Sequence, residues 1–277
     1  MFQRITPTII LIICCILFSC KKEKSATLTS IPTKTTDAIY ADSVFYVQNS
    51  NDFFVNPVIS TQGSFASFPD GLDIDQNTGI INVNKSETGL KYKISFTPTG
   101  SANSLTAYIV ISGINYQDKI YNLSQGDSVA VPIYNANPHL ALPDSNNNSF
   151  DESGGCKNAG IIIGSNNGLI NLAQTVRNQG IDTGATAQVK LGYRISDNSS
   201  KALNGLEVKI YFYTTAAQIP QYLTDLLNQR KGTILTSNAT SLGLVQSKTS
   251  SLNSITLSFK AAALARPRPP CIIVVSR

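Results

Sequence analysis

Oxygen-bearing side chains recur at alternate positions in Asp144-Ser145-Asn146-Asn147-Asn148-Ser149-Phe150-Asp151-Glu152. Loops that bind calcium present their hard oxygen ligands in this way. Asp144, Asn146, Asn148 and Glu152 are therefore the candidate Ca2+ ligands, against the plainer reading of an inter-strand loop. The match is incomplete, because Ser149 stands where such loops carry glycine and Gly155 where they carry their last acid. Paired carboxylates for glycoside cleavage must lie roughly 5–10 Å apart. The candidates (Asp151, Glu152, Asp182, Asp197, Glu207) fall in expected turns or on an exposed strand face, and no spacing selects a pair. His139, the single histidine, sits in Asn137-Pro138-His139-Leu140 with no acid beside it, and no Gly-x-Ser-x-Gly is present. Gly160 to Gly168 (GIIIGSNNG) is glycine-rich but lacks the lysine of a phosphate loop and the strand-Gly-helix order of a dinucleotide site. No residue is selected as catalytic, and the chain reads as a non-enzyme.

Thiol chemistry is more specific. Arg4 precedes an apolar run centred on Ile9-Ile10-Leu11-Ile12-Ile13, which ends at Leu17-Phe18-Ser19-Cys20 and is followed by Lys21-Lys22-Glu23-Lys24. A run this short fits a signal peptide better than a spanning helix of about 20 residues. Leu17 to Cys20 resembles a lipobox, with Phe18 in place of the usual small residue. That resemblance implies a bacterial lipoprotein: a signal peptide over 1–19, cleavage before Cys20, and diacylglycerol and an acyl chain such as palmitate at that cysteine. Two chains suffice for stable anchoring. The charged run after Cys20 resembles the tags that send lipoproteins to the outer face of the outer membrane. Cys14 and Cys15 leave with the leader, so the mature chain keeps Cys156 and Cys271. In an oxidising compartment an even pair implies one disulfide, with free thiols the alternative. Two cysteines and one histidine are too few for a zinc cage.

The elements around these residues are mostly strands. Residues 20–38, rich in Ser, Thr and Lys, read as a lipid-anchored flexible tether. From 39 to 113 short strands alternate with turns. Tyr92, Ile94 and Phe96 share one face and Lys91, Lys93 and Ser95 the other, while Leu105 to Ser112 reads as a strand buried on both faces. Between them, Pro69-Asp70-Gly71 and Asn77-Thr78-Gly79 carry turn chemistry. Phe68-Pro69, Gly71-Leu72, Ile74-Asp75 and Thr78-Gly79-Ile80-Ile81, then Tyr92-Lys93-Ile94-Ser95-Phe96-Thr97-Pro98, resemble the putative-Ig, cadherin-like repeats of bacterial surface proteins. The resemblance covers about a quarter of the chain and implies an Ig-like β-sandwich over 39–113 and a surface location. The Gly-x-Pro that follows the hairpin in those repeats is replaced here by Asn82-Val83-Asn84.

Residues 114–277 read as an α+β domain with an antiparallel sheet and two short helices. Strands are expected at 118–123, 128–134, 187–196, 206–214, 253–260 and 271–275. Val189, Leu191, Tyr193 and Ile195 alternate with polar neighbours, as do Val208, Ile210 and Phe212. Helical spacing occurs at Leu169, Leu172, Ala173 and Val176, and again at Ile219, Leu223, Leu226 and Leu227. Helices of about three turns are marginal alone and must lie on a sheet. Arg266-Pro267-Arg268-Pro269-Pro270 reads as a stiff connector into the last strand.

Only 14% of residues are charged, which suits an extracellular β-protein and excludes a disordered chain. The tail from residue 226 holds seven basic residues and no acid, but they are spread without aromatic interleaving, which excludes a nucleic-acid partner. Tyr193, Tyr211 and Tyr213 could stack on sugars or pack under the helices, and there is no Trp to act as the stronger platform. The sequence thus predicts a mainly β, lipid-anchored cell-envelope protein whose partners are the membrane, through Cys20, and a glycan or surface protein. Its role is binding or adhesion. A structural component without its own ligand is the alternative, and a glycan-processing enzyme the second.

Overall fold

A computed structural model describes residues 38–144, 146–179, 184–231 and 271–276. The chain divides between Thr36 and Asp37 into two units, and all described residues lie in the second. The leader, Cys20, the start of the tether and the strand expected at 253–260 lie outside the described residues. Among the described residues no helix is long and apolar enough to cross a membrane.

The protein is mainly β. Strands β1 (Val44–Phe45), β2 (Phe54–Val55), β3 (Gly63–Phe68), β4 (Ile81–Asn82), β5 (Leu90–Pro98) and β6 (Leu105–Ile111) build the first half. A four-stranded sheet runs β1-β6-β5-β3, antiparallel except that β1 lies parallel to β6, and β2 pairs with β4 in a separate ribbon. The first half is thus divided between two sheets. Strand β5 forms where period-two alternation is strict: Leu90, Tyr92, Ile94 and Phe96 are buried, and Lys91, Lys93 and Ser95 between them are half-exposed. Those side chains pack with Phe45, Phe65, Leu72, Ile81, Ile109 and Ile111. Strand β6 departs from the expectation of burial on both faces. Ile109 and Ile111 are buried, whereas Thr106 is exposed and Tyr108 and Val110 half-buried, so among the described residues that side of the strand is only partly covered.

The second half continues with β7 (Ile114–Asn115), β8 (Lys119–Asn122), β9 (Val129–Ala130), β10 (Ile133–Tyr134), β11 (Ser149–Phe150), α1 (Gly155–Asn158), β12 (Ile170–Asn171), α2 (Leu172–Gln179), β13 (Thr186–Arg194), β14 (Asn204–Tyr213), α3 (Gln221–Arg230) and β15 (Cys271–Ser276). Its main sheet runs β11-β13-β14-β15-β8. The expected antiparallel pair, β13 with β14, is present and also joins β11; β15 and β8 add a parallel portion. Leu172 and Val176 of α2 enter the larger core with Leu191, Val208 and Ile210. Leu223 and Leu227 of α3 cover the opposite face of the sheet over Tyr213 and Val274. Both helices are held by tertiary burial of one apolar face, as their shortness requires.

The two halves repeat one plan. Gly71-Leu72-Asp73-Ile74-Asp75-Gln76-Asn77-Thr78-Gly79-Ile80-Ile81-Asn82 aligns with Gly160-Ile161-Ile162-Ile163-Gly164-Ser165-Asn166-Asn167-Gly168-Leu169-Ile170-Asn171. Ile74 bridges Ile81 as Ile163 bridges Ile170. Gly79 N donates to Asp75 O at 2.8 Å, and Gly168 N to Gly164 O at 2.9 Å. Phe65 N donates to Gln76 O and Phe150 N to Ser165 O, each at 2.8 Å. The tyrosine hydroxyls of Tyr40 and Tyr116 reach Gly79 O and Gly168 O at 2.6 and 2.5 Å. Ribbon β2–β4 corresponds to β9–β12, with Phe54 opposite Asn82 and Val129 opposite Asn171. The Phe65–Phe96 ring pair corresponds to Phe150–Tyr193.

Glycine is required at the equivalent turns. Gly79 and Gly168 have φ of +71° and +66°, and the rings of Phe65 and Phe150 occupy the space a Cβ would need. The strings around them share G-x-x-I-x-x-N-x-G-[I/L]-I-N. Gly160 to Gly168 is therefore the second copy of the hairpin.

Candidate functional site

The most elaborate cluster of polar side chains lies where the two halves join. Gly113, between β6 and β7, adopts φ +156°, and a Cβ there would collide with the Tyr193 hydroxyl and Thr88. That close approach lets Tyr193 Oη pair with Thr88 Oγ1 at 2.7 Å and accept from Ile114 N at 3.1 Å. Tyr193 is fully buried, and burial pushes its phenol up to about 12. Beside it, Asp197 Oδ2 accepts from Ser112 Oγ at 2.9 Å and from Tyr134 Oη at 2.8 Å, while Asp197 Oδ1 accepts from Ser199 N at 2.9 Å. Tyr134 is held well above the usual phenol range, by burial first. Gly113 N donates to Asn135 Oδ1 at 3.1 Å. Residues from the first half (Thr88, Ser112) are thus bonded to residues of the second through buried hydroxyls and the half-buried Asp197. Such satisfied networks fix geometry, since breaking one partner strands the other.

Several of the residues singled out in the sequence are taken up by local partners. In the proposed calcium loop, Asn148 is buried; its Nδ2 donates to Pro143 O at 2.9 Å and its Oδ1 accepts from Ser196 N at 2.8 Å. Glu152 pairs with Arg194 at 3.1 Å and accepts from Ser149, and both contacts hold its carboxyl below the usual range, the Ser149 bond most. Asp144 accepts from Asn147 Nδ2, and Asn146 is exposed. Among the described residues no group of three or more His, Cys, Asp or Glu is placed to hold a metal ion.

The other acids are also engaged locally. Asp151 accepts from the backbone N–H groups of Cys156 and Lys157 at 2.8 and 3.0 Å, closing the turn into α1. Glu207 accepts from Gln188 on the neighbouring strand at 3.4 Å. Asp182 lies outside the described residues, and His139 is exposed with its N–H bonded to Asn137 Oδ1.

Cys156 is a free thiol buried in the larger core, pushed up to about 12 by burial and by the neighbouring Asp151. The disulfide expected with Cys271 falls on a side chain that lies outside the described residues. The backbone of Cys271 opens β15 opposite Val208, and its side chain lies outside the described residues. Tyr193 and Tyr213 are buried, and Tyr211 packs beneath α3 with Lys209 Nζ 5.0 Å from its ring centroid. Tyr211 and Tyr213 therefore pack under α3, while Tyr193 lies in the larger core on the other face of the sheet. Of the basic tail, Arg230 is occupied by an ion pair with Asp118 at 3.5 Å that ties the end of α3 to β8; residues 232–270 lie outside the described residues.

Sequence reasoning passed over the junction network. Its members are single residues far apart in the chain, and no local pattern joins Thr88 to Tyr193. The repeat did leave a signal, the recurrence of the hairpin string in the second half.

No protein-family model matches the chain, and no curated protein matches it. Among solved structures, that of Drosophila N-cadherin EC1-4 is similar at 9% identity over 61% of this chain and 47% of that chain, with a TM-score of 0.20. The chain spans about half the length of that structure, and a likeness this slight carries no argument about fold or activity.

Proposed function

We propose that this chain is a lipoprotein held to the outer membrane by lipid on Cys20, and that its two linked β-units form a non-catalytic binding or adhesion module for a glycan or another surface protein. The observation that carries this reading is the buried junction through Tyr193, Thr88 and Asp197. It makes the two repeats one stiff body, which suits presenting a surface away from a membrane. The short apolar leader ending in Leu17-Phe18-Ser19-Cys20 supports the anchor.

Two measurements test it. Mass spectrometry of the mature N-terminus is expected to show a diacylglyceryl, acylated Cys20, with Cys20→Ser shifting the protein to the unanchored fraction; an intact leader with an unmodified Cys20 refutes the anchor. Detergent-solubilised full-length protein is then applied to a glycan array and used for capture from envelope extract. A saturable glycan or one recurrent surface protein is expected. Neither, with the fold intact, refutes the binding role in favour of a structural component.

A further inference from the structure

The repeat exposes one strand that does not belong to it. In the first half β1 lies directly against β6, Val44 beside Val110 and Phe45 beside Ile111. By chain order, β8 is the counterpart of β1 and β14 the counterpart of β6, yet β8 and β14 do not touch as neighbours. Strand β15 stands between them, Ile272 beside Lys209 and Ile273 beside Ile210 on one side, Ile273 beside Lys119 and Val274 beside Ile120 on the other. The place that β1 occupies in the first half is thus taken by a strand from outside the repeat, and the strand that should hold it is displaced one position outward.

The slot is built for an apolar strand. Ile273 and Val275 enter the larger core with Val208, Ile210 and Phe212, and Val274 enters the separate cluster under α3 with Tyr213, Leu223 and Leu227. Four consecutive residues of β15, Ile273 to Ser276, are buried. Both of its neighbours are parallel, so no tight turn ties β15 to either of them. Between Lys231 and Cys271 lie residues 232–270. That length of chain reaches about 130 Å when extended, against a sheet of five strands about 20 Å wide. The connection is therefore long enough for a given β15 to reach the slot of a neighbouring copy as well as its own, and the side chains and ladder of that slot are identical in every copy.

We propose that the slot between β14 and β8 is a strand-exchange site, and that residues 271–276 of a second copy of this chain fill it as its own do. The bonds made and broken are the same ladder hydrogen bonds and apolar contacts, so exchange is near neutral in energy and set by concentration. The ligand is an extended Ile-Ile-Val-Val strand running parallel to β14, a β-augmentation by the chain's own kind.

The test uses wild-type full-length protein in detergent. Isotopically heavy and light preparations are mixed, incubated and examined by native mass spectrometry, with and without an excess of a synthetic peptide of residues 271–277. Mixed heavy–light dimers are expected, falling at least tenfold with the peptide. In a parallel arm, Val274→Asp is expected to abolish them, whereas Val129→Asp, at an exposed site, leaves them unchanged. Absence of mixed dimers in the wild type, or mixed dimers that excess peptide leaves untouched, overturns the proposal. Because both decisive readouts use the wild type, a Val274→Asp chain that fails to fold does not affect the outcome.

Discussion

The hydroxyl of Tyr193 lies 2.7 Å from Oγ1 of Thr88, so that strand β13 of the second half is bonded to the turn preceding the longest strand of the first. The same hydroxyl accepts from Ile114 N. Tyr193→Phe removes both bonds while keeping the ring against Phe150. Two buried partners lose their bond, at roughly 1 kcal/mol or more each. We expect a loss of about 2 kcal/mol in denaturant unfolding and faster hydrogen exchange at Ile114. An unchanged midpoint would show that the junction does not hold the halves together.

Asp197 is the charged member of that junction, receiving Ser112, Tyr134 and Ser199. Hydrogen bonds to a charged group contribute about 1.5–3 kcal/mol. Asp197→Ala leaves the buried Tyr134 hydroxyl without its acceptor and is expected to destabilise the protein within that range. Asp197→Asn, which keeps an acceptor oxygen, should recover part of the loss; thermal unfolding of the two variants side by side distinguishes them.

Repeat equivalence makes a paired prediction. Gly79→Ala and Gly168→Ala each place a methyl group against an aromatic ring in a backbone conformation that disfavours L residues. Each should cost more than about 1 kcal/mol, and the two costs should add, because the hairpins belong to different cores. Calorimetry of the single and double variants checks both the size and the additivity.

The Asp75 carboxylate accepts from the backbone N–H groups of Thr78 and Asn77 and from the Thr78 hydroxyl, which lowers its pKa. A carboxyl lowered on folding adds stability above its unfolded value of about 3.9, and that stability is lost as pH falls through the lower folded value. Stability is therefore expected to decline below about pH 4, with a shallower decline in Asp75→Asn. Equal slopes in the two proteins would remove Asp75 from the account of acid unfolding.

Burial holds Cys156 protonated to about pH 12. In reduced, folded protein at pH 8 iodoacetamide should leave Cys156 unmodified, and denaturation should expose it to full alkylation, as peptide mapping reads directly. Modification of the folded protein at the rate of a free thiol would show that the core around α1 opens.

Ser276 ends β15 fully buried, and its Oγ has no hydrogen-bond partner among the described residues. An unsatisfied buried hydroxyl is a cost, so Ser276→Ala should be neutral or stabilise by up to about 1 kcal/mol. A clear destabilisation in chemical unfolding would mean that the hydroxyl is bonded in solution.

Local pattern determined much of this protein. Alternation at Tyr92-Lys93-Ile94-Ser95-Phe96 and at Val189 to Ile195 marked strands with the correct buried face, because a pleated strand sends successive side chains to opposite sides. Asn77-Thr78-Gly79 marked a hairpin, because a positive φ selects glycine, and the helical spacing at Leu223, Leu226 and Leu227 marked α3. Tertiary structure alone decided the rest. That Tyr193 serves a junction and not a sugar follows from Gly113 approaching it, which no neighbour in sequence announces. That Asn148 and Glu152 serve Ser196 and Arg194 follows from β13 running beside their loop. That β15 enters between β14 and β8 was invisible, because an apolar run such as Ile272-Ile273-Val274-Val275 carries the period of its strand but nothing of its neighbours. Register and neighbour are set by ladders between residues distant in the chain.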